Sequence, residues 1–145
     1  MNIFDDRPGI DQLRAMMATG QGPSIGATLH FRLEEVEEGR VVFTGHPGPH
    51  ATNPIGTVHG GFAATLLDSA CGCAVHSRLS ATQGYTTLEL KVAYHRPLSA
   101  DSGPVRAIGE LLSFGRRAAF AEARLIDERD RLIASATSSL LVFER

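Results

Sequence analysis

Hydrophobic and polar positions along the 145-residue chain change their period in an ordered way. Ile10, Leu13 and Met16/Met17 recur at three- and four-residue intervals and Gly20 follows, which predicts a short amphipathic lead helix over 10–19. Ala27, Leu29, Phe31 and Leu33 then alternate with Thr28, His30, Arg32 and Glu34, the period of two of a half-buried strand. Glu38-Gly39 reads as a turn into a second strand, Arg40 to Thr44. The stretch from Gly45 to Pro54 carries three prolines and reads as a loop without regular structure. From Gly60 to about Ser77 the alternation vanishes, and small and large apolar residues surround one carboxylate, as in a helix buried over most of its circumference. Four more strand-like segments complete the pattern: Tyr85 to His95, Pro104 to Leu112, Arg117 to Ile126 and Leu132 to Phe143, with a hairpin turn at Asp127 to Asp130.

No repeat, low-complexity tract or linker interrupts this order, and the length suits one hydrophobic core, so residues 1–145 are expected to form a single domain. One long buried helix flanked by six strands, several joined by hairpin-length connections, predicts an α+β fold in which a single antiparallel sheet curls around the helix.

Composition narrows the function classes. With 43% hydrophobic and 21% charged residues the chain is an ordinary globular sequence, and a net charge of −2 leaves no electrostatic footprint for nucleic acid or an anionic membrane. No segment offers the roughly 18 continuous apolar residues of a membrane span. The opening residues Met1 to Arg7 carry acids where a secretory signal needs basic and then apolar residues. Cys71 and Cys73 would face different directions on a helix, which argues against a disulfide or a redox pair. A cytoplasmic protein is the expectation.

Asp68 is the only Asp or Glu between Glu38 and Glu89. A lone carboxylate in an apolar segment is either satisfied by hydrogen-bond partners or held there for chemistry. On the first alternative Asp68 is structural, and Gly60, Gly61 and Gly72 simply let the helix approach the sheet.

The second alternative gains weight from Asn53-x-x-Gly56-x-x-His59-Gly60-Gly61, followed by Leu67-Asp68-x-Ala70 and then Tyr94-His-Arg-Pro97. This combination resembles the hotdog-fold acyl-CoA thioesterases of the phenylacetate-pathway (PaaI-like) type, relatives of the aryl-CoA thioesterases, over nearly the whole chain. The resemblance implies hydrolysis of aryl or medium-chain acyl-CoA thioesters. Attack on a thioester carbonyl puts negative charge on oxygen, and free N–H groups at a helix N-terminus, reinforced by the helix dipole, are placed to receive it. Gly60 is the natural donor, because a missing side chain lets the thioester approach the backbone. By resemblance, Asn53 and His59 shape the same pocket, and Asp68 is the nucleophile or the general base that activates water.

Eight residues of helix separate Gly60 from Asp68, roughly 12 Å of rise, whereas both must come within about 3 Å of one reacting group. One helix can hardly do both, and the resemblance implies a homodimer or homotetramer with each active site built from two chains. It also implies a Ser or Thr beside the carboxylate. Counting back from Pro97 favours Thr87 and counting forward from Asp68 favours Thr86; alternation groups Thr86 with Leu88, Leu90 and Val92, and Thr87 with Glu89 and Lys91. Thr87 is taken here. For the phosphates of CoA, Arg116 and Arg117 resemble the family's basic segment, and Arg96 is a further candidate.

No cofactor or metal is expected. His46, His50 and His59 have no Cys or carboxylate near them in sequence to complete a site. Gly45-His46-Pro-Gly-Pro-His50 resembles a segment of hotdog dehydratases, but those pair the His with a helix Glu about fourteen residues on, where this chain has Gly60. The hydratase relatives place a His five residues after the Asp, where this chain has Cys73. A (de)hydratase and a non-catalytic acyl-CoA-binding module are the alternative functions.

Overall fold

A computed structural model describes all residues from Met1 to Arg145. Helix α1 (Gly9–Thr19) follows the predicted amphipathic stretch, buries Leu13, and ends at Gly20, whose φ of 67° is a left-handed cap open to glycine without Cβ strain.

The next segment differs from expectation. Ala27 and Leu29 belong not to a strand but to a short helix, α2 (Ser24–Leu29), which begins after Pro23 and ends at His30 in the left-handed region at φ 62°. Proline fits just ahead of a helix, and His30 reverses the chain so that strand β1 (Phe31–Glu37) starts immediately after it. The alternation is real only from Phe31 onward, where Phe31 and Leu33 are buried and Arg32 and Glu34 exposed.

Strand β2 (Arg40–Gly45) leads into the proline-rich loop, where a single 3-10 turn over Pro49–Ala51 forms although no regular structure was expected. Then come α3 (Gly60–His76), β3 (Gln83–Tyr94), β4 (Val105–Phe114), β5 (Ala118–Ile126) and β6 (Leu132–Glu144), with ends within two residues of those expected. The six strands form one antiparallel sheet in the order β1-β2-β4-β5-β6-β3, which leaves β1 and β3 at the edges. The predicted α+β arrangement of a sheet around one long helix is what forms.

Helix α3 lies against β2 to β6, with Leu66, Leu67, Ala70, Cys71, Ala74 and Val75 fully buried. The sheet meets it with short side chains, Ala107, Ala119, Ala121 and Ala123, so the helix can sit close. Its closest approach is at Gly109, where an added Cβ would come within 2.2 Å of the Ala70 carbonyl oxygen. Gly109 therefore does what sequence reasoning offered as an explanation for Gly60 and Gly61, while Gly72 accommodates Tyr85. Burial of α3 is also incomplete: Gly61, Ala64, Thr65, Asp68, Ser69 and Cys73 form a partly exposed stripe along one face. No helix is long and apolar enough to cross a membrane.

Candidate active site

The predicted site residues fall into two groups at opposite ends of the Gly60–Asp68 half of α3, one at the middle of the helix and one at its N-terminus. At the first, Asp68 is half-buried and Thr87 donates its hydroxyl to the carboxylate, with Oγ1 3.0 Å from Oδ1. Of the two threonines left open by the sequence, Thr87 faces the helix because β3 carries a bulge: register against β6 shifts between Thr87 and Glu89, and Leu88 is extruded with 63% exposure. Upstream of the bulge the helix-facing residues are Tyr85 and Thr87; downstream they are Leu90 and Val92. Strict alternation back from Leu90 would have selected Thr86, which is exposed.

Asp68 and Thr87 open onto a cavity of about 230 Å³ whose other walls include Leu13, Met16, Phe31, Phe43, Cys73 and Tyr85. Desolvation among the chamber's apolar walls, and then the charge of Asp68, push the Cys73 thiol up to about 12, which disfavours its thiolate at neutral pH. Burial likewise pushes the Tyr85 hydroxyl up. Among Asp68, Cys73 and Tyr85, Asp68 is the group able to attack a carbonyl or take a proton from water.

His76, which sequence reasoning did not single out, lines the same cavity and is 2% exposed. Its Nε2 lies 2.8 Å from Gln12 Oε1. The Gln12 amide nitrogen donates to the carbonyls of Asp5 and Arg7, so Oε1 is the acceptor and His76 Nε2 carries the hydrogen. Burial, and then the charge of Arg145, push the imidazole down to about 4, so it is neutral at pH 7. Phe4 stacks on the ring with centroids 5.4 Å apart, tying the N-terminal segment to this end of α3. A His at a helix end looks like an ordinary cap in sequence, and nothing local signals its partner 64 residues away.

At the other end, His59 caps α3: its Nδ1 accepts from the Gly61 N–H at 2.8 Å. In the neutral ring the hydrogen then resides on Nε2, which has no partner within the chain. The Gly60 N–H is also unpartnered, as expected for the first turn of a helix. Tyr94 donates its hydroxyl to the Gly60 carbonyl at 2.6 Å, and a Cβ on Gly60 would lie 3.0 Å from that hydroxyl. These residues and Arg96 line a second, more open cleft of about 540 Å³.

Asn53 lines neither cavity. Its Oδ1 accepts from the Ile55 and Thr57 N–H groups and its Nδ2 donates to Thr57 Oγ1, so its polar atoms hold the loop that delivers His59. Arg116 and Arg117 are exposed in the β4–β5 turn. That turn is at the Asp68 end of the sheet, since Ala118 pairs with Leu141 and Leu141 with Thr86. Neither they nor Arg96 forms an ion pair. The fold thus brings Asp68 to Thr87, and His59 and Gly60 to Arg96, but places the two sets on different cavities.

Residues 55–134, more than half the chain, match the Thioesterase superfamily. The 1,4-dihydroxy-2-naphthoyl-CoA hydrolase of Escherichia coli is 28% identical over 123 residues, covering 85% of this chain and 88% of that one. A protein of Halobacterium salinarum described as a candidate esterase is 36% identical over 94 residues, a match that spans 61% of this chain and 62% of that protein. The PaaI protein from the phenylacetic acid degradation operon of E. coli superposes with a TM-score of 0.81 over 96% of each chain at 16% identity, which shows a shared fold. The sheet wrapped around α3 is the hotdog fold, and the chain belongs to the thioesterase superfamily, whose members hydrolyse thioesters.

Proposed function

We propose that the protein hydrolyses acyl-CoA thioesters bearing an aryl or medium-chain acyl group to the free acid and CoA, at sites shared between two subunits. The observation that carries this reading is the pairing of an Asp68 carboxylate held by Thr87 in an apolar chamber with an uncommitted Gly60 N–H on the same helix. The named activity of the E. coli relative, a naphthoyl-CoA hydrolase, is of the same chemical class.

The thioester carbonyl oxygen takes the Gly60 N–H of one subunit, with the positive end of α3 and the free Nε2–H of His59 beside it. Asp68 of the other subunit either takes a proton from water, whose hydroxide adds to the carbonyl carbon, or adds directly to give an anhydride that water then opens. In both cases the C–S bond breaks, the thiolate of CoA leaves and is protonated, and the acid departs. Thr87 fixes the carboxylate. Asn53 holds the loop behind His59. Arg116, Arg117 and Arg96 offer unpaired cations for the phosphates of CoA.

Two surfaces support a dimer or tetramer. The outer edge of the twelve-residue strand β3 is unpaired, and long free edges invite a second strand. The partly exposed stripe of α3 carries Asp68 itself. One domain per chain suffices for this role, and cytoplasmic conditions suit its two free cysteines.

The test is thiol release from a panel of short, medium, long and aromatic acyl-CoAs. A rise in melting temperature with acyl-CoA but no thiol release marks a binding module; loss of water from a hydroxyacyl-CoA marks a dehydratase. Sharing of sites is tested by refolding inactive Asp68→Asn subunits together with inactive Asn53→Ala subunits. Mixed dimers hold one site with both defects and one with neither, so activity returns. Mixed dimers without activity mean that each site lies within one chain.

A further inference from the structure

We infer that Met16 sets the length of acyl group this protein accepts, by walling off the Asp68 chamber from a larger cleft behind it. The inference rests on the thioesterase reading above and adds the residue that determines its specificity.

The chamber of about 230 Å³ beside Asp68 has a neighbour, a cleft of about 740 Å³ bounded by α1, the Gly20–Pro23 connection, α2 and β1. Four residues line both spaces: Met16, Pro23, Phe31 and Phe43. They form the partition. Phe31 and Phe43 are buried at 7% and 5% exposure and pack edge to face with centroids 5.8 Å apart, so neither can move without disturbing the core. Pro23 is a rigid ring at the head of α2. Met16 is partly exposed and unbranched, and is the one member of the partition whose side chain can be shortened or rearranged cheaply.

Chemistry fixes which way the substrate lies. A thioester whose carbonyl carbon is within reach of Asp68 points its acyl tail into the chamber, whose apolar walls are Leu13, Met16, Phe31 and Phe43. An apolar cavity of about 150 Å³ is enough to hold benzene. The chamber therefore takes an aromatic ring with a few further atoms, or a medium chain, and a longer tail runs into the partition. Beyond Met16 the cleft offers Met17, Ala27 and Leu33 as apolar surface for additional carbons.

The experiment compares wild type, Met16→Ala and Met16→Phe on a series of straight-chain acyl-CoAs from butanoyl to hexadecanoyl, with phenylacetyl-CoA included. Met16→Ala should move the optimum of kcat/KM several carbons longer and raise the long-to-short ratio roughly tenfold, the discrimination that a change of one or two methylenes produces in a hydrophobic pocket. Met16→Phe should move the optimum the other way. The change should appear as a shift of kcat/KM along the chain-length series, because Met16 faces the tail. Met17→Ala, which lines the cleft but not the chamber, should leave the preference for short chains unchanged. If Met16→Ala does not fold, the shift with Met16→Phe decides. Hydrolysis with the same chain-length profile in the folded Met16 variants overturns the inference and leaves the thioesterase reading standing; a wild type that hydrolyses no acyl-CoA overturns both.

Discussion

The two ends of the Gly60–Asp68 stretch of helix α3 are built in opposite ways. At the Asp68 end a carboxylate is held by one hydrogen bond from Thr87, in a more enclosed chamber walled by the lead helix, the N-terminal segment and two phenylalanines. At the Gly60 end an unused N–H and the free edge of His59 face an open cleft beside Arg96. One end has a reactive group and a place for an apolar tail. The other has donors, a cation and room for a bulky polar group. Neither end alone can both attack a thioester carbonyl and stabilise the oxygen, and the length of helix between them keeps them apart within one chain.

Removing the charge at the closed end should have the largest effect. Asp68→Asn keeps the shape of the side chain and the Thr87 contact, so the fold should be unchanged by circular dichroism. Turnover should fall by a factor on the order of 10² to 10⁴, the range for a group that moves a proton or attacks. Near-normal kcat would return Asp68 to a structural role and erase the contrast between the two ends.

The open end should respond next. In Gly60→Ala the new methyl lies 3.0 Å from the hydroxyl of Tyr94, a side chain that is 56% exposed and free to yield. Stability should change little, while kcat/KM drops by about 10² as the methyl blocks access to the N–H and turns it away. Tyr94→Phe is the control. It removes the bond to the Gly60 carbonyl without touching the N–H, and should cost much less. Equal losses in the two variants would mean that Gly60 matters for its packing against Tyr94 and not as a donor.

These two ends were not equally legible in the sequence. Asp68 stands out because isolation of a charge in an apolar run is visible in one dimension, and α3 and five of the six strands follow from their periods. The failures share a cause, a backbone irregularity that resets the period. His30 in the left-handed region ends a helix where alternation through Ala27 and Leu29 had suggested a strand. The bulge at Leu88 exchanges the faces of β3, so strict alternation back from Leu90 points to Thr86 although Thr87 is the residue that reaches Asp68. Contacts between distant segments were invisible for a different reason. Gly109 under Ala70 and Gln12 against His76 depend on which surfaces the fold brings together, and no local pattern marks them.

The bulge gives a finer test of the closed end. Thr87→Val keeps the branched shape and loses the hydroxyl that holds Asp68, and should lower kcat roughly tenfold, in line with the worth of a hydrogen bond to a charged group. Thr86→Val, on the exposed face, should be silent in both activity and stability. The reverse ranking, measured as kcat on one substrate, would mean that the register of β3 slips by one residue in solution.

The smallest effect on activity, and a distinct one on stability, is expected from His76 in the wall of the closed chamber. Folding holds this imidazole near 4, against about 6.5 in the unfolded chain, because burial disfavours the charged form. Above pH 6.5 both states are neutral and the native state has its full stability. As the pH falls from 6.5 towards 4 the unfolded chain binds the proton first, so stability is lost across that window and levels off below it, by on the order of 3 kcal/mol in total. For a chain of this length that corresponds to roughly ten degrees in Tm. His76→Gln retains a side-chain amide able to donate to Gln12 Oε1 but cannot titrate. Its Tm should therefore fall less steeply with acid, while its kcat at neutral pH stays close to wild type because the proposed mechanism gives His76 no proton to move. Thermal melts of the two proteins at half-unit steps between about pH 7 and 4 decide the matter. Parallel curves would show that His76 takes up its proton in the folded state without cost, and that the closed end is wetter than its burial implies.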